Sequence, residues 1–264
     1  MDGTRRPIGM FDSGVGGLSV AREIRRTLPA EDLLYVADTA YCPYGDRPLE
    51  EVRTRALAVG RYLERAGAKL VVAACNTASG AALEQLRQAL AVPVVGLEPA
   101  VKTGAAVTRN RKLGVMATAG TLASARFARL VRDHAHGVEV VPQPCPGLAD
   151  LVEEGHFDGE RLQAWLEQLT QPLKRAGVDT VVLGCTHYAF VSEPIARVLG
   201  PAVQLVDSAP AIARRTEHLL RGDAGRRTNG SGTFTVLTTG DPRAVALVVA
   251  RLWGAAVPVD TVAV

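Results

Sequence analysis

The chain has 264 residues, of which 47% are hydrophobic and only 5% aromatic; this excludes the disordered class and predicts a globular protein with aliphatic cores. Its net charge of +3 is spread along the chain, the longest true cluster being the Arg-Glu-Ile-Arg-Arg stretch at 22–26, so no nucleic-acid partner is expected. No run reaches the roughly 18 to 20 apolar residues that cross a bilayer. The polar opening at 1–7 lacks signal-peptide character, so the expectation is a cytoplasmic protein without a membrane partner.

In chain order, short apolar runs ending in Gly or small polar residues alternate with helical spacing. Residues 8–11 read as a buried strand running into Asp12-Ser13-Gly14, and 18–28 as a helix. A strand at 33–36 ends at Ala37-Asp38-Thr39, and a helix at 49–66 stops at Gly67. Strands at 70–74 and 92–97 end at Cys75-Asn76-Thr77 and Glu98-Pro99. The pattern then restarts. Strands are predicted at 112–116, 138–141, 180–183 and 204–206, with helices at 122–133, 162–175 and 211–220. Residues 221–232 read as a surface loop. A strand at 234–239 follows, and then a helix at 242–252 opened by Thr239-Gly240-Asp241-Pro242. The two halves are alike, since each has a strand ending in a cysteine followed by small polar residues. This suggests two facing α/β units; one doubly wound domain fits the pattern as well.

In open α/β sheets ligands bind beyond the carboxyl ends of the strands. That rule selects Asp12, Ser13, Cys75, Asn76, Thr77, Thr118, Thr121, Cys185, Thr186 and His187. The Asp12-Ser-Gly14-Val-Gly16-Gly17 run permits tight turning and close backbone approach. It fits a carboxylate or a phosphate at a helix start, or simply a turn. It fails the dinucleotide fingerprint at the third glycine, and no Walker loop is present. Four cysteines without CxxC spacing, and five histidines without HExxH, do not indicate a metal centre.

For Cys75 and Cys185, the alternatives are inert core thiols or an acid/base pair. Inverting a stereocentre without a cofactor needs a base on one face and an acid on the other, and two like groups can exchange those roles. Pyridoxal phosphate would need a Schiff-base lysine. Lys69, Lys102, Lys112 and Lys174 offer no strand-end phosphate loop, although Lys102 lies close after Glu98-Pro99.

Several motifs in this order carry a family resemblance. They are the glycine run after Ile8, Tyr35-Val-Ala-Asp-Thr39, Pro43-Tyr44-Gly45, Ala74-Cys75-Asn76-Thr77-Ala78, Cys145-Pro146 with Val152-Glu153, Leu183-Gly184-Cys185-Thr186-His187-Tyr188, and Thr239-Gly240-Asp241-Pro242. Together they resemble bacterial glutamate racemase, in the aspartate/glutamate racemase superfamily, nearly end to end. One departure is Ala189-Phe190, where many relatives have Pro-Leu.

The resemblance implies two pseudo-symmetric α/β domains with mainly parallel central sheets and the active site in the interdomain cleft. Residues 1–98 plus 211–264 would carry Asp12 and Cys75; residues 99–210 would carry Glu153, Cys185 and His187. It further implies interconversion of L- and D-glutamate without metal or cofactor, supplying D-glutamate for peptidoglycan. Cys75 would act on D-glutamate with Asp12, and Cys185 on L-glutamate with His187 supported by Glu153. Asp12, Ser13, Tyr44, Gly45, Asn76, Thr77, Thr118, Thr121, Thr186 and His187 would hold the substrate. A carboxylate beside a thiol disfavours the thiolate, so Asp12 is expected to orient groups or to meet the substrate ammonium. A homodimer is common in the family. The competing readings are an aspartate or broad-specificity amino-acid racemase, a hydrolase or decarboxylase of the superfamily, and a non-catalytic glutamate-binding protein. Cys42 is placed at the site entrance and Cys145 in packing, neither with a catalytic role.

Overall fold

The computed structural model describes residues 6–221 and 225–264. The expected polar opening and surface loop therefore fall partly outside the described residues, at 1–5 and 222–224. Two parallel sheets organise the chain. The first holds β1 (Ile8–Asp12), β2 (Leu33–Ala37), β3 (Leu70–Ala73) and β4 (Val94–Gly96), with β9 (Phe234–Thr238) and β10 (Val259–Thr261) returning to its edge in the order β10-β9-β2-β1-β3-β4. The second holds β5 (Lys112–Ala117), β6 (Glu139–Pro144), β7 (Thr180–Leu183) and β8 (Gln204–Asp207), in the order β6-β5-β7-β8.

The first four strands of each half thus share one order, second-first-third-fourth, and all pair in parallel. This repeat decides the matter left open by the pattern: the chain is two pseudo-symmetric α/β domains. Central strands such as β1, β3 and β7 are buried throughout, because helices cover both faces of a parallel sheet.

In the first half, α1 (Leu18–Thr27) buries Leu18, Val20, Ala21 and Ile24 on one face, alongside α10 (Ala209–Leu220) and α11 (Pro242–Trp253). The other face carries α2 (Leu49–Arg65) and α3 (Asn76–Ala89). In the second half, α8 (Glu160–Ala176) and α9 (Ser192–Leu199) cover one face. There α4 (Val101–Val107) and α6 (Ala125–His134) cover the other. The predicted N-terminal cap at Asp241 is present, its carboxylate accepting from the Arg243 N–H at 2.9 Å ahead of Pro242. Residue 210 falls in the first turn of α10, whose Ala209 is already part of the first core.

Some elements differ from the periodicity. The helix expected at 122–133 is interrupted: α5 (Ala119–Leu122) ends, and Ser124 starts α6 by accepting from the Phe127 N–H at 3.1 Å. The strand expected at 138–141 runs on to Pro144 as β6, because an edge strand loses no inward ladder bond to Pro142 or Pro144. The short helix α7 (Leu148–Glu153) was not expected.

Candidate active site

The two halves present corresponding strand ends to one another. Cys75 follows β3 and Cys185 follows β7, the third strand of each unit. Their backbones are nearly superposable, with φ/ψ of −139°/124° at Cys75 and −139°/136° at Cys185. The chain then diverges. Cys75 caps α3, its sulfur accepting from the Ala78 N–H at 3.5 Å, whereas Cys185 opens a 3-10 turn over Thr186–Val191 and its Sγ lies 3.6 Å from His187 Nδ1.

A single small cavity joins them. It is lined by Asp12, Ser13, Tyr44, Gly45, Cys75, Asn76, Thr77, Thr118, Cys185, Thr186 and His187, together with Pro43 and Ala149. Its volume is about 10 Å³, the space of one water. Of the residues expected to hold substrate, only Thr121 stands back from this lining. It is buried behind Thr118 and Thr77, its hydroxyl 3.0 and 3.2 Å from theirs. Tyr44 lines the cavity, but its hydroxyl is committed elsewhere, donating to Asp38 at 2.5 Å. Asp38 in turn pairs with Arg55 at 2.8 Å. Pro43 and Ala149 were not expected as wall residues. Pro43 belongs to the Pro43-Tyr44-Gly45 motif, while Ala149 is an ordinary helical alanine with no sequence signal.

The surroundings of the two sulfurs are unlike. Asp12, wholly buried, accepts from the Ser13 N–H at 2.7 Å and from the Thr186 hydroxyl at 2.9 Å, a bond that crosses between the halves. Burial raises the Asp12 carboxyl above its ordinary range, against the nearby His187 charge and hydrogen bonds from Cys75, Thr186 and Ser13. Burial and then the Asp12 carboxylate push the Cys75 thiol well up, so Cys75 rests as a proton-bearing thiol.

On the other wall His187 is also buried, and burial alone would lower its pKa. Hydrogen bonds with Cys185, Cys42 and Glu153 outweigh that and hold it well above the ordinary histidine value. Glu153 Oε1 lies 2.6 Å from His187 Nε2 and accepts from the Val15 N–H at 2.6 Å. Here the glycine run acts through what it lacks. A Cβ on Gly14 would overlap the Glu153 carboxylate, and one on Gly16 the His187 ring. These two positions let the halves close on each other.

Cys42 is half-buried, its sulfur 4.0 Å from Ser13 Oγ; burial raises its thiol to about 12. Cys145 is packed in the second domain's core, its thiol donating to the Gln143 carbonyl at 3.3 Å.

Fold and site together define a class: a two-domain α/β enzyme that brings one thiol from each half to the walls of a shared interdomain cavity. The chain belongs to the Asp/Glu/Hydantoin racemase family, whose profile matches residues 8–216. It is 47% identical over 249 residues to a glutamate racemase of Pseudomonas paraeruginosa, covering 94% of each chain. Among solved structures it is similar to a glutamate racemase isoform from Bacillus anthracis, with a TM-score of 0.90 and 34% identity over 99% of this chain and 98% of that one. A glutamate racemase from Francisella tularensis solved with D-glutamate gives a TM-score of 0.87 at 27% identity, over 99% and 98% of the two chains.

Proposed function

We propose that the protein is a cofactor-independent glutamate racemase, interconverting L- and D-glutamate and supplying the D-isomer for peptidoglycan synthesis. The observation that carries this reading is the matched cysteine pair: two buried thiols at the same strand position of two pseudo-symmetric halves, lining one cavity. Solved relatives with D-glutamate and with L-glutamate bound support glutamate over aspartate.

In this reading Cys185, with the His187 imidazolium beside it, removes the α-proton of L-glutamate. Cys75 then delivers its proton to the opposite face. For D-glutamate the roles reverse, and each transfer requires sulfur within hydrogen-bonding reach of the α-carbon. Asp12 keeps the Cys75 proton in place and, with the buried and unpartnered Asn76 Oδ1, receives the substrate ammonium. Ser13, Thr77, Thr118 and Thr186 offer hydroxyls, and Tyr44 and Gly45 offer backbone, to the carboxylates. Thr121 orients Thr77 and Thr118. Glu153 holds the His187 ring.

Domain limits of 1–98 plus 211–264 and 99–210 go with this reading, as does a homodimer in solution. Light scattering that reports a monomer at micromolar concentration would remove the dimer.

The deciding experiment incubates chelator-treated enzyme with each enantiomer in D₂O. Optical rotation should decay to zero from either side as deuterium enters the α-position. Cys75→Ala and Cys185→Ala should each lower racemisation by about 10³-fold or more. No inversion and no exchange would remove the assignment.

A further inference from the structure

Cys42 takes no part in the two-thiol chemistry, yet its sulfur stands beside the residues that support Cys185. One ligating atom each from Cys42, His187 and Glu153 lies within 4.8 Å of the other two. We propose that these three side chains form a binding site for a thiophilic divalent cation, with zinc the best match, at the mouth of the active site.

The donor set carries the choice of ion. One sulfur, one imidazole nitrogen and one carboxylate oxygen suit zinc, and three protein ligands leave its fourth position open to solvent. Ligands around a tetrahedral zinc stand about 3.5 Å apart, so side-chain rotation has about 1 Å at most to close toward Cys42, while His187 Nε2 and Glu153 Oε1, 2.6 Å apart, open by about as much. Charge fits as well. A divalent ion held by one thiolate, one carboxylate and a neutral imidazole is electrically balanced, which keeps the cost of a half-buried site low.

Access and rigidity are both present. The His187 side chain is only 2% exposed, whereas that of Glu153 is 19% exposed and Cys42 is half-buried, so an ion arrives from the Cys42–Glu153 side and meets a fixed imidazole. Glu153 is steadied by the Val15 N–H at 2.6 Å. Binding exchanges water on the ion for the three ligands. It releases the Cys42 thiol proton and any second proton on the imidazole to solvent, and nothing is oxidised or reduced. The bound ion replaces the His187–Glu153 hydrogen bond at Nε2 and so engages His187, a wall residue of the cavity, from its outer side. Zinc is therefore a reversible inhibitor that competes with substrate.

The test titrates chelator-treated, full-chain protein with zinc chloride, and separately with cobalt chloride. In wild type, cobalt should produce a near-ultraviolet cysteinate-to-metal charge-transfer band that EDTA abolishes. Zinc should inhibit racemisation reversibly, with added glutamate raising the concentration needed. Cys42→Ala and the closer match Cys42→Ser are each compared with their own metal-free turnover, so that any effect of losing the Cys42 contact on His187 is separated from the effect of the ion. Cys42→Ala should lose the cobalt band and need about tenfold more zinc, or beyond, for half-inhibition. An unchanged zinc response and cobalt band in Cys42→Ala would place the ion on Cys75 or Cys185 and overturn the site, as would the absence of a cobalt band in wild type. The cobalt readout does not depend on racemisation, so it stands or falls apart from the proposed function.

Discussion

At the scale of single residues, the site depends on close approach. Gly16 faces the His187 ring with no room for a methyl group. Gly16→Ala should therefore displace the imidazole from Cys185, lowering turnover by about 10²-fold while costing roughly 1–3 kcal/mol in stability through overpacking. Steady-state kinetics beside a denaturant melt would check this; near-normal turnover would mean the ring is not required where it stands. The neighbouring glutamates make a sharper contrast. Glu153 reaches His187 at 2.6 Å, while Glu154 faces solvent, half-exposed, toward Arg161 at 3.3 Å. Glu153→Gln should lose at least about tenfold in turnover and Glu154→Gln almost none, and the two single variants assayed side by side decide it. A larger loss at Glu154 would reverse the assignment.

At the scale of elements, the strand-ending cysteines, the glycine run and most helices were legible because each rests on a local signal: period, a breaker or a cap. What escaped was set by contacts distant in sequence. Thr121 carries the same strand-end signature as Thr118, yet α5 turns it behind its neighbour, where it bonds Thr77 of the other half. Tyr44 falls within a diagnostic motif, but Asp38, itself paired with Arg55, claims its hydroxyl. Ala149 becomes a wall residue only because α7 is laid across the cleft.

One loop carries a pH-dependent load at this scale. Burial alone would raise the Asp179 carboxyl, but it accepts from the Thr108 hydroxyl, the Asn110 and Arg109 N–H groups and the Thr180 hydroxyl, which together hold it at about 2. Its folded pKa is below the unfolded value, so its contribution is full above about pH 4 and is lost as pH falls toward about 2. Asp179→Asn should lower Tm at neutral pH yet shed less stability than wild type between about pH 4 and 2. Parallel melts across that range test this, and equal slopes would deny Asp179 the role.

At the scale of the whole molecule, a cavity of about 10 Å³ is too small for an amino acid, so the halves must part for substrate to enter and product to leave. The seam is tied by Thr186 to Asp12, Val15 to Glu153 and Thr77 to Thr118, the last pair at 2.9 Å. A Thr77→Cys/Thr118→Cys double variant should form a disulfide across that seam. Under a mild oxidant dose that leaves wild type active, the double variant should lose turnover well beyond the loss in wild type and in both single variants, and reduction should restore the level of the reduced double variant. Full turnover in the oxidised, crosslinked form would mean that exchange does not require separation at this point.

The unlike neighbours of the two sulfurs, Asp12 on one wall and His187 on the other, have a consequence fixed by mirror symmetry. Enantiomers in water have equal free energy, so the equilibrium constant is unity. The ratio kcat/KM must then be the same from either isomer, however different the two walls are. Unequal walls can only divide that shared quantity differently between saturation and turnover. The isomer whose complex is more stable will show the lower KM and, by the same factor, the lower kcat. Changing one wall alone will slow both directions equally at low substrate, a constraint that any variant on either side has to obey.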